Sequence, residues 1–458
     1  MYAEIIIPLA LPKNYTWAIP TEFSDGVMIG MRVEVVLGSN KRYAGIIKKI
    51  LADKPDGFNP KPILGILDDA PIVYPAQLQL WEWMASYYMC TEGEVMQAAV
   101  PSHLKISSES IFILNEDAAI DSLHLSDTEY IISEALQIKK QLSLVEIQKL
   151  LDKKSVYPVI NKLIQKGICS VEETMHDKYT IKVENVLHLH PDYHAESALE
   201  QLMNDWTRAP KQLALLLAFL HLQKTEGQVQ QKALLEKSGA ANAQLKALID
   251  KGILVVEKRK IDRLAVDLSL GNTHLHQLSA AQQLAFDSIV EQMKTHSVNL
   301  LHGITGSGKT QIYAALIENA IQSNQQALYM LPEIALTAQM IRRLKQYFGG
   351  KIAIYHSKFN PNERVEIWNK VKSGEIKIVL GARSALFLPY HNLSLVIIDE
   401  EHDASYKQQD PAPRYQARDT AIYYANQLGA KVVLGSATPS IETYYNAMQN
   451  KFGYYHLK

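Results

Sequence analysis

Residues Gly303-Ile304-Thr305-Gly306-Ser307-Gly308-Lys309-Thr310 carry the spacing G-x-x-x-x-G-K-T, with the apolar run VNLLHGI leading into them and an amphipathic stretch leading out. Between a strand and a helix, this spacing lets the backbone N–H groups from Thr305 to Thr310 wrap phosphate oxygens at the positive end of the helix. Lys309 then reaches the β- and γ-phosphates, and the Thr310 hydroxyl is a ligand for Mg2+. Further along, the run LVII ends in Asp399-Glu400-Glu401-His402. A strand ending there brings Asp399 beside the glycine-rich loop to hold the metal, and Glu400 polarises the attacking water as general base. The chemistry expected of these residues is hydrolysis of a nucleoside triphosphate, with ATP and Mg2+ as the cofactors.

Such an arrangement needs a parallel sheet. From about residue 270 the apolar runs VNLLHGI, QALYMLPE, IAIYHS, IKIVLGA, LSLVIIDEE and AKVVLGSAT alternate with amphipathic stretches. That rhythm implies strands covered by helices, with ligands at the carboxyl ends of the strands, where both motifs fall. Upstream, residues 1–105 begin with short strand-like runs separated by turn residues, followed by a helical pattern near Tyr74 to Met89.

Between these parts the chain repeats itself. SLVEIQKLLDKKSVYPVINKLIQKGICSVEE resembles QVQQKALLEKSGAANAQLKALIDKGILVVEK, and Lys166-Gly167 matches Lys251-Gly252. Helix, turn, helix and strand is the order of a winged helix, with the glycine ending the second helix. The first copy is rich in lysine (Lys139, Lys140, Lys149, Lys153, Lys154, Lys162, Lys166), and DNA contact and a solvated face weigh about equally there. The expected fold class is multidomain α/β. Its parts are a β-rich DNA 3′-end-binding domain (1–105), a winged-helix domain (106–195), a second winged-helix-like module (196–268) and a RecA-like P-loop lobe (269–458).

Composition excludes a polycation: the 458 residues carry a net charge of -1, so any nucleic-acid contact must be local. Cys90 and Cys169 have no CxxC or Cys/His spacing, and His188, His190 and His194 read as linker histidines rather than metal ligands. Glu4 stands where a signal peptide would be basic, and no run reaches the roughly 18 apolar residues of a membrane span. A cytoplasmic protein with no membrane partner is expected.

The Asp-Glu-x-His ending resembles that of superfamily 2 helicases and translocases, and further stretches agree. LSAAQQ is similar to the adenine-reading glutamine motif, with Gln282 as reader; GSATPS offers Ser436 and Thr438, with His402, for coupling the γ-phosphate state to DNA. GITGSGKTQIY, LPEIALTAQM, GARSALFLP, DEEHDASYKQQDPAPRYQARD and GSATPSIETY, in this order, resemble the PriA (primosomal protein N′) family of replication-restart helicases. The resemblance runs to the N-terminus through IPLALPKNYTWAIP and VVLGSNKRYAGII.

What the resemblance implies is an ATP-dependent 3′-to-5′ helicase that recognises stalled or branched forks and initiates primosome assembly. Tyr15 and Trp17 would stack on the terminal base, Gly38 would admit the backbone and Lys61 would neutralise phosphate. Thr16 stands where the family often has an aspartate, and as a neutral acceptor it should hold a 3′-hydroxyl less strongly. Tyr406, Lys407, Arg414, Tyr415 and Arg418 would stack on DNA or contact its phosphates. Implied partners are forked and single-stranded DNA with a 3′ end, single-stranded DNA-binding protein and helicase-loading proteins. Family members continue into a zinc-binding region and a second motor lobe whose residues do not occur in this chain, so it is expected to be an N-terminal fragment that binds fork DNA and nucleotide with little turnover. Two alternatives stay open: a DNA-structure-binding module whose lobe senses nucleotide without hydrolysing it, and another superfamily 2 motor such as a restriction translocase or fork-regression enzyme.

Overall fold

The structure, a computed structural model, describes residues 1–38, 41–105, 109–115, 125–152, 156–166, 168–174, 183–205, 210–260, 277–356 and 359–458. Two compact units form, one from residues 1–179 with 266–458 and one from residues 180–265.

The larger unit opens with β1 (Tyr2–Ile6), β2 (Tyr15–Ala18), β3 (Arg32–Leu37), β4 (Lys41–Leu51) and β5 (Gly65–Ile66), an antiparallel sheet in the order β2-β1-β4-β3-β5. Strand alternation sends Ala3, Ile5, Trp17, Val33, Val35 and Ile47 into one core. Helices α1 (Pro75–Tyr87) and α2 (Glu92–Ala99) follow. Proline at the first turn starts α1, and a Thr91/Glu94 capping box starts α2. Both helices are tied to the sheet by Lys48, a buried residue of β4 whose Nζ donates to Glu82 at 3.1 Å and Glu92 at 2.7 Å.

In the same unit, β6 (Glu109–Leu114), α3 (Asp127–Lys139), β7 (Gln141–Ser143), α4 (Leu144–Leu151), α5 (Tyr157–Gln165) and β8 (Cys169–Thr174) enclose a small apolar core of Phe112, Ile132, Leu136, Ile147 and Leu163. The sheet order is β7-β6-β8. Lys139 and Lys166, counted toward the basic bias, are paired with Glu146 and Glu129. Lys153, Lys154 and Gly167 lie outside the described residues.

The smaller unit repeats that plan: β9 (Val183–Leu189), α6 (Glu196–Asp205), α7 (Pro210–Glu226), β10 (Val229–Gln230), α8 (Gln231–Ser238), α9 (Asn242–Asp250) and β11 (Leu254–Lys260). Its sheet order is β10-β9-β11, and the turn after α9 uses Gly252 at φ +68°. The two winged-helix modules are thus present, but the boundary read at residue 195 moves. β9 pairs along its whole length with β11, so the stretch from Val183 to His194 belongs to the second module. His188 bonds Glu257 at 2.8 Å across that pair, and His194 bonds the Leu189 carbonyl. The shift has a physical reason: a strand pattern names a strand but not its partner, which is a non-local choice.

The third part of the larger unit contains α10 (Ala280–Gln292), β12 (Val298–Gly303), α11 (Lys309–Gln322), β13 (Gln326–Met330), α12 (Ala338–Phe348), β14 (Ile352–Tyr355), α13 (Pro361–Lys372), β15 (Ile378–Gly381), β16 (Leu393–Asp399), α14 (Ala417–Leu428), β17 (Lys431–Ser436), α15 (Ile441–Met448) and β18 (Gly453–Leu457). All pairings are parallel, in the order β14-β15-β13-β16-β17-β12-β18. The six expected strands are there; β18 is an addition, a short aromatic edge strand. Helix α1 packs on this lobe. Gln77 donates to the Phe387 carbonyl at 2.9 Å, Tyr74 to that of Lys372 at 2.9 Å, and Trp368 Nε1 returns a bond to the Ile72 carbonyl at 3.0 Å. Trp83 stacks on Tyr423 with centroids 3.9 Å apart.

Candidate active site

The loop between β12 and α11 turns through Gly306 and Gly308, both left-handed at φ +84° and +89°. A Cβ at Gly308 would stand 2.1 Å from Gln282 Nε2, the movable end of a side chain, so the glycine is required by its conformation while the contact shows how near Gln282 lies to the loop. Gln282 comes from the first turn of α10, where its Oε1 accepts from Ser279 N and Ser279 Oγ accepts from Gln282 N. The glutamine motif therefore first serves as a capping box that presents an amide against the loop.

Only β17 separates β12 from β16, so the chain ends of both strands open on one cavity of about 320 Å3. Thr305, Gly306, Gly308, Lys309, Thr310, Gln311, Arg343, Asp399 and Glu400 line it. The glycine-rich lysine and the acidic pair, far apart in sequence, are thereby brought together.

Lys309 is buried, and its Nζ donates to the carbonyls of Gly303 at 2.7 Å and Ile304 at 3.2 Å. Asp399, 8% exposed, accepts from Tyr313 at 3.0 Å, Tyr329 at 3.3 Å and the Glu400 amide at 3.1 Å. Burial first, and then the neighbouring Glu400 charge, raise its carboxyl above the ordinary aspartate value. Both tyrosines are raised far above the usual phenol range by burial and by Asp399, so they stay protonated as donors. Glu400 sits at φ +46°, unusual for a non-glycine residue, immediately after the strand ends.

His402 links this site to the end of β17. Its Nδ1 lies 2.8 Å from Ser436 Oγ, which also accepts the Thr438 amide at 3.0 Å, and Thr438 Oγ1 stands 3.5 Å from His402 Nε2. Glu400 Oε2 lies 3.8 Å from His402 Nδ1. The three residues read as coupling residues thus form one chain of contacts with the candidate base.

Glu401 was missed. It is fully buried and accepts from Arg418 Nη1 at 2.8 Å, Ser440 N at 2.7 Å, Ser440 Oγ at 3.1 Å and Thr443 Oγ1 at 2.9 Å. The motif spelled out two acidic residues with chemistry and gave no sign that the third fastens β16 to α14 and α15. Tyr313 could have been found, since it stands one helical turn after Lys309 on α11 and shares its face.

Several residues expected to meet DNA sit elsewhere. Tyr406 is 1% exposed and donates to the Asp399 carbonyl at 2.7 Å; Tyr415, also 1% exposed, packs edge-on against Phe387. Neither presents a stacking face. Arg418 is held by Glu401 and Asp419 instead of facing outward. The phenol rings fill core volume, and the guanidinium neutralises a buried carboxylate. Lys407 and Arg414 keep accessible surface on that loop, Lys407 Nζ donating to the Arg414 carbonyl at 2.6 Å.

At the N-terminal sheet, Trp17 is 3% exposed and donates from Nε1 to the Val36 carbonyl at 3.2 Å, so it is core rather than platform. Trp17→Ala should cost about 3–5 kcal/mol, read as a lower midpoint in denaturant unfolding, where a surface platform would give almost no change. Tyr15 is half-buried, with its ring 6.4 Å from that of Trp17. Thr16 faces the opposite side of the strand, in register with Glu4. Gly38 and Lys61 are exposed and adjacent, Lys61 Nζ donating to the Gly38 carbonyl, and a Cβ on Gly38 would meet open space. Lys61 is placed by its own carbonyl, which accepts from Ala18 N at 2.8 Å, next to β2.

Among the described residues no helix is long and apolar enough to cross a membrane. Residues 4–101 match the PriA 3′DNA-binding domain family, residues 184–261 the PriA helicase winged helix domain described for Bacteroidota, and residues 279–447 the DEAD/DEAH box helicase family. The replication restart protein PriA of Bacillus subtilis is 31% identical over 100% of this chain and 56% of its own length. That of Haemophilus influenzae is 31% identical over 98% and 50%. That of Helicobacter pylori strain J99 is 46% identical over 36% of this chain and 27% of its own length. The chain spans about half the length of the full-span curated relatives it matches, with shares of 50–56% for these two. A solved structure of RecG bound to a three-way DNA junction matches 58% of this chain and 31% of that one, at 20% identity and a TM-score of 0.31.

Proposed function

We propose, from the premise that this chain belongs to the PriA family of replication restart proteins, that it supplies the nucleotide-hydrolysing lobe and the DNA-end-recognising sheet of an ATP-dependent 3′-to-5′ DNA helicase acting at stalled or branched forks in the cytoplasm. The observation that carries the reading is the shared cavity of Lys309, Thr310, Asp399 and Glu400, with Glu400 in contact with the His402-Ser436-Thr438 chain.

The donor set fits a hard divalent cation with a triphosphate: a hydroxyl and a carboxylate face a lysine, and the loop still has an unpartnered buried hydroxyl at Ser307. Bound Mg2+ would neutralise phosphate charge, with Thr310 and Asp399 as the residues holding it. Lys309 can exchange its two carbonyl acceptors for phosphate oxygens, which bind an ammonium more strongly. Glu400 orients water and takes its proton. Any shift of Glu400 is felt by His402, and through Ser436 and Thr438 by the segment that follows β17, which supports a route from nucleotide state to DNA grip.

The exposed pair Gly38 and Lys61, next to the strand that carries the half-buried Tyr15, supports recognition of a 3′ end: backbone and ammonium for the last phosphate and ring for the last base, with Thr16 on the opposite strand face and outside that contact. We place Lys407 and Arg414 on the strand path, and single-stranded DNA-binding protein and helicase-loading proteins among the partners of the whole assembly. Titrating forks that carry a free 3′-hydroxyl or a blocking 3′-phosphate tests this. Lys61→Ala should weaken the free-end fork about fivefold to tenfold and the blocked fork much less. Equal weakening of both forks would remove the end-recognition role.

A further inference from the structure

The nucleotide cavity has a second cation that no motif contains. Arg343 lies on α12, outside the glycine-rich loop, yet lines the same 320 Å3 space as Lys309 and Glu400. Helix α12 begins with Thr337 as cap, its side chain accepting from Met340 N, and buries Leu344 and Phe348 against the core shared with α11. Arg343 precedes Leu344 and so stands at the rim of that buried stripe, its exposed side chain carrying Nε 3.4 Å from Tyr347 Oη, one turn along.

Sheet order decides from which side it approaches. Going outward from β12, the strand of the glycine-rich loop, the order is β17, β16, β13. The acidic pair ends β16, and α12 follows β13, the next strand beyond it. A side chain of α12 therefore enters the cavity past the acidic pair, from the side where the metal and terminal phosphate belong. Gln282 lies against Gly308 on the α10 side of the loop.

We propose that Arg343 is a phosphate-binding residue that contacts the terminal phosphate of the bound nucleotide and lets this lobe, by itself, distinguish a triphosphate from a diphosphate. A guanidinium matches phosphate oxygens with two parallel N–H bonds, whereas Lys309 acts as a point charge. With Lys309 held low in the loop by two carbonyls, Arg343 is positioned to add charge where the triphosphate has more than the diphosphate. This inference rests on the proposed ATP site.

The test is equilibrium binding of fluorescent ATPγS and fluorescent ADP, with Mg2+, to the whole chain and to Arg343→Ala, Arg343→Lys and Lys309→Ala. Arg343→Ala should lose at least about tenfold in ATPγS affinity with little change for ADP, and Arg343→Lys should recover part of it. Lys309→Ala should lose both nucleotides. Arg343 is exposed, so the Ala variant should keep the wild-type unfolding midpoint and the comparison stays interpretable. If Arg343→Ala binds both nucleotides as the wild type does, or loses both equally, the inference is overturned. If the unaltered chain binds neither nucleotide, the ATP-site reading itself fails, which is a different result.

Discussion

Replacing Glu400 by glutamine leaves nucleotide binding intact and lowers hydrolysis by about 10²- to 10⁴-fold, the usual worth of a positioned general base. The side chain keeps its length and one acceptor oxygen but no longer takes a proton from water. The substitution keeps the left-handed backbone at φ +46° occupied by a side chain of equal size, so the strain of that turn is nearly unchanged between the two proteins. It also removes the neighbouring charge that, after burial, raises Asp399, and binding of Mg2+ should not weaken for that reason. The measurement is single-turnover hydrolysis beside equilibrium binding, in an assembly that turns over. Joint loss of binding and hydrolysis would take Glu400 out of its catalytic role and return it to the architecture of the loop.

The second large effect is on stability. Glu401→Ala leaves the Arg418 side chain, 12% exposed, beside a cavity, and leaves the Ser440 amide and the Thr443 hydroxyl without their acceptor. Removing one partner of a buried ion pair costs about 3–5 kcal/mol, and the lower end applies here because Arg418 Nε keeps Asp419 at 2.8 Å while the Ser440 and Thr443 donors lose their acceptor. Glu401→Gln keeps one acceptor oxygen and loses the charge and the other acceptor, and Arg418→Met keeps a carboxylate that still has three donors. Both should lie between the wild type and the alanine variant. Urea denaturation followed by circular dichroism ranks them. An alanine variant that unfolds at the wild-type midpoint would mean that the carboxylate does not bind β16, α14 and α15 together.

What could be read from the sequence follows how local each signal is. The glycine-rich loop, the acidic ending of β16 and the alternation of apolar runs are short-range patterns, and the sheet follows from them. The repeated helix-turn-helix text was also readable, because each copy carries its own core. Burial was not. Tyr15 and Trp17 share one face of a strand, and that alternation does not tell which face of the sheet is covered; here the core claims Trp17. Tyr406 and Tyr415 look like stacking rings in a basic loop, but the loop folds inward and spends one hydroxyl on the Asp399 carbonyl. Arg343, Tyr329 and Ser440 reach the site from elements whose own patterns announce only amphipathic helix, strand and cap. Their roles arise from the order of strands in the sheet, which no window of sequence contains.

The seam between α1 and the nucleotide-binding lobe has a consequence for how such proteins change over time. Gln77, Tyr74 and Trp368 all donate to backbone carbonyls across it, those of Phe387, Lys372 and Ile72. A carbonyl survives any substitution of its residue, so only the donor side of each bond is exposed to mutation. The acceptor side of these three bonds therefore sets no demand on residue type, and what constrains Phe387 and Ile72 is the burial of their side chains, so that of the three acceptors only the half-buried Lys372 can change at little cost to the joint.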